Sequence, residues 1–296
     1  MTSGILLLDK PRGLSSNGAL QRVRHALGRI KAGHTGSLDP MATGMLPICL
    51  GEATKVAGDL LEGRKAYLFT ARLGSRTATG DLEGDVVETQ PVPADLPARL
   101  EAAAAGFRGP IRQVPPMYSA LKRDGEPLYR LARQGLEVER AARDLTIHVL
   151  QLLGVDGHDT HWRVDCSKGT YVRVLAEDLA RAAGTVAHLS ALRREYVEPF
   201  QGQPLMTLEA VLADPRAIRL LPPDAALPQL VPLTLDAEGV RRLQQGQRLP
   251  LGAVAPAPGR CRIYSLEGHF LGVGEVVPGG VLQPRRLFND LGPQST

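Results

Sequence analysis

The chain has 296 residues, above the range of one small domain, and sets 35 Lys and Arg against 31 Asp and Glu, a formal charge of +4. Hydrophobic residues at 43% and charged residues at 22% are an ordinary folded composition, which excludes global disorder. The mild basicity is compatible with a polyanionic partner, and no apolar run approaches the roughly 18 residues of a membrane span. The first ten residues lack a basic n-region and do not read as a signal peptide. Three widely spaced cysteines, Cys49, Cys166 and Cys261, form no CxxC pair, and the seven histidines have neither HExxH nor finger spacing. This pattern predicts no metal site and a reduced compartment, the cytoplasm.

Residues 4–8 are a β-prone run ending in the turn signal Asp9-Lys10-Pro11-Arg12-Gly13. Ser15-Ser16-Asn17 then offers caps for a helix with Leu20, Val23, Leu27 and Ile30 on one side and Arg22, Arg24, Arg29 and Lys31 on the other. Residues 33–44 have no helical or strand period and are expected to be an irregular polar loop. A second helix is expected over 52–61. A strand follows over 65–73, with Tyr67, Phe69, Ala71 and Leu73 sharing a face. Residues 95–105 predict an Ala-rich helix, 143–153 and 160–166 paired strands, 172–183 an amphipathic helix, and 207–214 a short helix. The five prolines of 215–232 mark a linker or a domain boundary, and the remainder has turn-rich β character. The paired strands argue against strict βαβ alternation and for an α+β fold.

Several motifs are missing: there is no GxxxxGK[ST], no GxGxxG after a strand and no GxSxG elbow. In the 33–44 loop, Asp39 precedes Pro40, so two readings stand level: a plain helix N-cap, or a functional carboxylate among His34, Thr35 and Ser37. His34 alone reads as a hydrogen-bonded loop histidine, and Tyr67 alone as a core aromatic. The junction Cys166-Ser167-Lys168-Gly169-Thr170-Tyr171-Val172-Arg173, taken by itself, favours a glycine turn with Thr170 as N-cap and Arg173 in water.

Together these segments carry more. Leu7-Leu8-Asp9-Lys10-Pro11, Gly33-His34-Thr35-Gly36-Ser37-Leu38-Asp39-Pro40-Met41-Ala42-Thr43-Gly44, the run 46–55, Tyr67, Pro115-Pro116-Met117-Tyr118-Ser119-Ala120-Leu121-Lys122, Cys166 to Arg173 and Leu192-Arg193-Arg194 occur in order at compatible spacings. In these blocks the chain resembles the TruB family of bacterial tRNA pseudouridine-55 synthases over nearly its full length. The resemblance implies a mixed, largely antiparallel sheet flanked by helices, the pseudouridine synthase fold, across residues 1–230. A small β-rich, PUA-like RNA-binding domain would occupy 231–296.

It further implies isomerisation of the T-loop uridine at position 55 of tRNA, with Asp39 as nucleophile and Arg173 its ion-pair partner. Tyr67 would stack on the flipped base and is a candidate for proton transfer. Tyr171 would contact the target nucleotide, the backbone at Leu192 would meet the uracil edge, and His34 would support base flipping. An isomerisation needs no redox step or group donor, so no cofactor is expected. Neither is an obligate protein partner, while the tRNA T-arm is, and opening the T-loop could also assist tRNA folding. Base flipping costs a few kcal/mol, and stacking of about 1–3 kcal/mol per base is its natural compensation. Lys10, Arg12, Lys122, Arg193, Arg194 and the basic face of the first helix are candidate phosphate contacts.

Overall fold

In a computed structural model, residues 3–252 and 255–289 are described. Strand β1 (Gly4–Lys10) is the apolar run Ile5-Leu6-Leu7-Leu8, buried on both faces. Helix α1 (Ser16–Ala26) is capped by Ser15, whose hydroxyl accepts from the Gly18 amide at 3.0 Å, and it buries Ala19, Leu20 and Val23. The segment expected to be irregular throughout instead contributes to two strands, β2 (Ala32–His34) and β3 (Thr43–Leu50). Only 35–42 remains a loop. Their antiparallel register, His34 opposite Ile48, supplies pairing that a three-residue strand cannot announce by periodicity. Where one helix was expected over 52–61, a 3-10 turn (Gly51–Val56) runs into a short α2 (Ala57–Glu62).

Strand β4 (Lys65–Leu73) buries Tyr67, Phe69, Ala71 and Leu73, as its alternation predicts. A small hairpin, β5 (Ser75–Thr77) and β6 (Val86–Thr89), precedes α3 (Leu96–Phe107) and β7 (Gly109–Gln113). A minor pair, β8 (Lys122–Arg123) and β9 (Glu126–Pro127), leads into α4 (Leu128–Arg133). The predicted paired strands are the hairpin β10 (Arg143–Asp156) and β11 (Asp159–Cys166). Helix α5 (Val172–Ala182) follows, and its N-cap is Tyr171 without a side-chain cap bond. Thr170 instead donates to the Ser167 carbonyl. Strand β12 (Ala187–Val197), β13 (Met206–Thr207) and α6 (Leu208–Ala213) complete this part.

These strands form a sheet in the order β13-β1-β3-β12-β4-β11-β10-β7, with β2 beside β3. Only β1–β13 and β3–β12 run parallel, so the sheet is mixed and largely antiparallel. Helices α3 and α5 close one apolar cluster against β4, β11 and β12. Helices α1 and α6 close another over β1 and β3.

The Pro-rich 215–232 segment is not a free linker. The amides of Ile5 and Leu221 donate to each other's carbonyls at 2.8 and 2.9 Å, and Ala226 and Leu227 are buried. Fixed φ angles make such a segment inexpensive to order as a strap over β1. A second sheet, β14-β16-β17-β18-β15, is built from β14 (Val231–Leu235), β15 (Leu249–Pro250), β16 (Gly259–Ser265), β17 (Phe270–Val277) and β18 (Val281–Leu287). Helix α7 (Ala237–Gln244) packs on it, capped by Asp236. Among the described residues no helix is long and apolar enough to cross a membrane.

Candidate active site

The 35–42 loop is held from several sides. The Ser16 hydroxyl accepts from the Leu38 amide at 2.7 Å and donates to the Leu38 carbonyl at 3.1 Å. The Gly13 amide donates to the Pro40 carbonyl, and Leu38, Met41 and Ala42 are buried. Asp39 therefore sits between two anchored neighbours. It caps no helix; its carbonyl accepts from the Ala42 amide in a turn.

That carboxylate meets Arg173 in the first turn of α5. Nε lies 3.0 Å from Oδ2, and a terminal nitrogen donates to Oδ1 at 3.3 Å, an ion pair with one hydrogen bond. The Arg173 side chain is 6% exposed, so the solvated reading of this residue fails, and the Asp39 side chain is 37% exposed. Arg173 also donates to the Thr79 carbonyl at 2.9 Å and the Tyr118 carbonyl at 2.7 Å. A second carboxylate, Asp81, is buried 3.9 Å from Arg173, and accepts from the Thr79 hydroxyl and the Glu83 amide. The sequence reading passed over Asp81, which lies in a Gly/Thr/Asp loop of turn-like composition. It also passed over Gln113, whose amide holds the Tyr171 backbone in both directions, accepting at 2.8 Å and donating at 3.1 Å.

Burial pushes Asp39 above the usual carboxylate range; Arg173 opposes this and Asp81 reinforces it. Arg173 thus lies beside Asp39, as the resemblance implies for a partner, but desolvation of the carboxylate outweighs its pull. Burial likewise raises the Tyr67 and Tyr171 phenols, and both lie close enough to Asp39 to feel its charge. Asp39, Arg173, Tyr67 and Tyr171 are therefore brought together from β4, α5 and the loop before β3.

Leu192 lies opposite Phe69 on β12. The β12–β3 ladder contains only Arg193 with Thr43 and Arg194 with Gly44, so β3 does not pair with the strand at Leu192, whose side chain is buried. A cleft of about 340 Å³ opens there, lined by Arg12, Met41, Thr43, Phe69, Leu192 and Arg193 among others. His34 is half-buried on β2, its Nδ1 without a partner among the described residues, and burial followed by Arg194 lowers its pKa.

Two candidate phosphate contacts are overturned. Lys10 is 0% exposed, its ammonium donating to the carbonyls of Pro11, Leu14 and Pro40, and burial brings its pKa down to about 8. Arg194 is 1% exposed and donates to the Met45 and Gly36 carbonyls. Both terminate or interrupt apolar strands, where backbone carbonyls left by the adjoining loops claim the cation before any solvent-borne anion can. Arg12 and Lys122 are exposed, as is Arg193, which pairs with Asp9 through two bonds of 3.0 and 2.9 Å. No described contact joins Lys122 to the Asp39 cluster. Among the described residues no group of three His, Cys, Asp or Glu side chains could hold a metal ion.

The mixed sheet with its helices is the pseudouridine synthase fold. A Cbf5 chain in the crystal structure of a Cbf5-Nop10-Gar1 complex superposes with a TM-score of 0.70 at 26% identity, covering 94% of this chain and 79% of that one. The model of the TruB family pseudouridylate synthase N-terminal domain matches residues 24–172, and that of the pseudouridine synthase II TruB C-terminal region matches 232–288. A protein of Aromatoleum aromaticum named tRNA pseudouridine synthase B is 53% identical over 98% of this chain and 94% of that protein. One of the same name from Burkholderia mallei is 52% identical over 96% of each. The chain belongs to the TruB family of pseudouridine synthases.

Proposed function

We propose that this enzyme isomerises the T-loop uridine of tRNA, at position 55, with Asp39 as its nucleophile. The observation that carries the reading is the Arg173–Asp39 ion pair, a buried guanidinium against a partly exposed carboxylate. Relatives more than half identical to the chain are tRNA pseudouridine synthases by name, which supports tRNA as the substrate class. In the reaction the N1–C1′ bond breaks, uracil turns, a C5–C1′ bond forms, C5 gives its proton to solvent and N1 takes one up, so the product is an isomer. A carboxylate suits this sequence because it can attack and then depart, and Arg173 keeps it aimed throughout. The target base leaves its stack to reach Asp39 and rests on Tyr67, with Tyr171 beside it, while His34 supports the opened loop. The β12 backbone at Leu192 receives the uracil edge. Arg12, Arg193, Lys122 and the exposed Arg22, Arg29 and Lys31 offer charge to the phosphates.

The test is release of tritium from a T-arm hairpin carrying 5-tritiated uridine. Wild type is expected to release the label, and Asp39→Ala to release none while binding the hairpin with little change. Wild-type release by Asp39→Ala would reject the nucleophile. Release from ribosomal RNA fragments but not from the T-arm would reject the substrate.

A further inference from the structure

Arg194 is a buried guanidinium whose described hydrogen-bond partners are two backbone carbonyls. Removing such a charge from water is expensive, and a hydrophobic residue of similar volume fills space at lower cost. The geometry of its partners supplies a reason for the cation. Nε donates to the Met45 carbonyl at 2.7 Å, and a terminal nitrogen donates to the Gly36 carbonyl at 2.9 Å. Gly36 and Met45 stand on either side of the segment that carries Asp39, so one planar group spans both ends of that segment.

The fit is close at each end. A Cβ built on Gly36 would lie 3.3 Å from the guanidinium, and one on Gly44 only 2.2 Å from the Arg194 carbonyl oxygen. Arg194 is also the residue of β12 that lies opposite Gly44 on one side and Tyr67 on the other. Its charge reaches the Tyr67 phenol and the His34 ring. The loop bearing Asp39, the strand bearing Tyr67 and the strand bearing His34 therefore share one central cation.

We infer that Arg194 is a positioning residue for isomerisation: it braces the 36–45 segment, the loop and the start of β3, at both ends and sets Asp39 against Tyr67. This rests on the function proposed above, since the brace matters for turnover only if Asp39 and Tyr67 act there. Lysine retains the charge but, as a point donor on a flexible stem, does not reproduce a rigid two-ended span.

Arg194→Lys is compared with wild type in the tritium-release assay, with thermal melting recorded to measure the folded fraction. The expected result is a fall in kcat on the order of 10²-fold with KM for the hairpin nearly unchanged, because misplacement of a reacting group by about 1 Å acts on this scale. Gly36→Ala approaches the same contact from the loop and is expected to lower kcat with the same KM pattern, which keeps the test open if Arg194→Lys folds poorly. Hydrogen exchange on the unliganded proteins needs no activity: faster exchange at the Thr35, Leu38 and Ala42 amides, by about tenfold or more, is expected for Arg194→Lys. The brace is overturned by wild-type kcat in both variants, by a change in KM alone, by a loss that only tracks the unfolded fraction, or by unchanged exchange in the loop. A wild-type protein without tritium release, combined with faster loop exchange in Arg194→Lys, would instead place the failure in the proposed reaction.

Discussion

At Asp39 two influences oppose each other: the dry surroundings that align it with Arg173 disfavour its charge, and burial outweighs the arginine. The proposed attack requires ionised Asp39, so the acid limb of kcat/KM, which reports the free enzyme, is expected above the ordinary aspartate value of about 3.9. The stability consequence has the opposite sense to that of a conventional salt bridge. A carboxyl whose folded pKa is raised holds its proton more tightly when folded, so its contribution falls as pH rises from the unfolded value through the folded one. Asp39→Asn is therefore expected to melt at or above the wild-type temperature at pH 7, with the difference closing as pH drops below the ordinary carboxylate range. Differential scanning calorimetry from pH 3 to 8 measures this, and a markedly lower melting temperature for Asp39→Asn at pH 7 would contradict it.

Among elements, those with a strong local pattern were legible. The alternation of β4 announces which face Tyr67 shares with Phe69, Ala71 and Leu73, and the amphipathic stretch after Tyr171 announces α5. The 33–44 segment was legible only by resemblance, because the order of β2 comes from pairing with β3 and that of the loop from Ser16 and Arg194. Lys10 and Arg194 were misread for the same reason: a basic residue in sequence looks like a surface charge until the carbonyls around it are assembled. Gly44 shows how tight the β3–β12 contact is. It has φ +99°, and a side chain there would run into the Arg194 backbone. Gly44→Ala is expected to lose about 2–4 kcal/mol of stability, since strain in the backbone and the clash with a neighbouring strand add together. Urea denaturation would show this as a lower midpoint at unchanged slope.

On the scale of the whole molecule, the second sheet is not a detached appendage. Phe270, Val273 and Phe288 share a buried cluster with Ile5, Leu7, Val56 and Leu60. Arg260 clasps Asp59 with bonds of 2.6 and 3.1 Å, Lys55 donates to the Leu287 carbonyl at 2.7 Å, and the Tyr264 hydroxyl donates to Asp224 at 2.7 Å. The polar contacts at the rim are individually worth about 1 kcal/mol or less, so apolar burial carries the junction. A chain ending at Leu230 is expected to melt at lower temperature and to bind a hydrophobic dye, besides losing any RNA contact made by the second sheet. Unchanged melting would show that the shared cluster contributes little.

The amino-acid sequence by itself determined the element types with strong periodicity, the α+β class, and, through ordered motifs, the family. Those properties depend on neighbours a few residues apart or on long matching patterns. Tertiary structure decided which charges are exposed and which are buried, how Asp39 is balanced between Arg173, Asp81 and dehydration, and that Arg194 spans the Gly36 and Met45 carbonyls. Asp39 and Arg173 lie 134 positions apart in the chain. Their electrostatics depend on distance and burial, which no local pattern encodes and which exist only once the strands between them have paired.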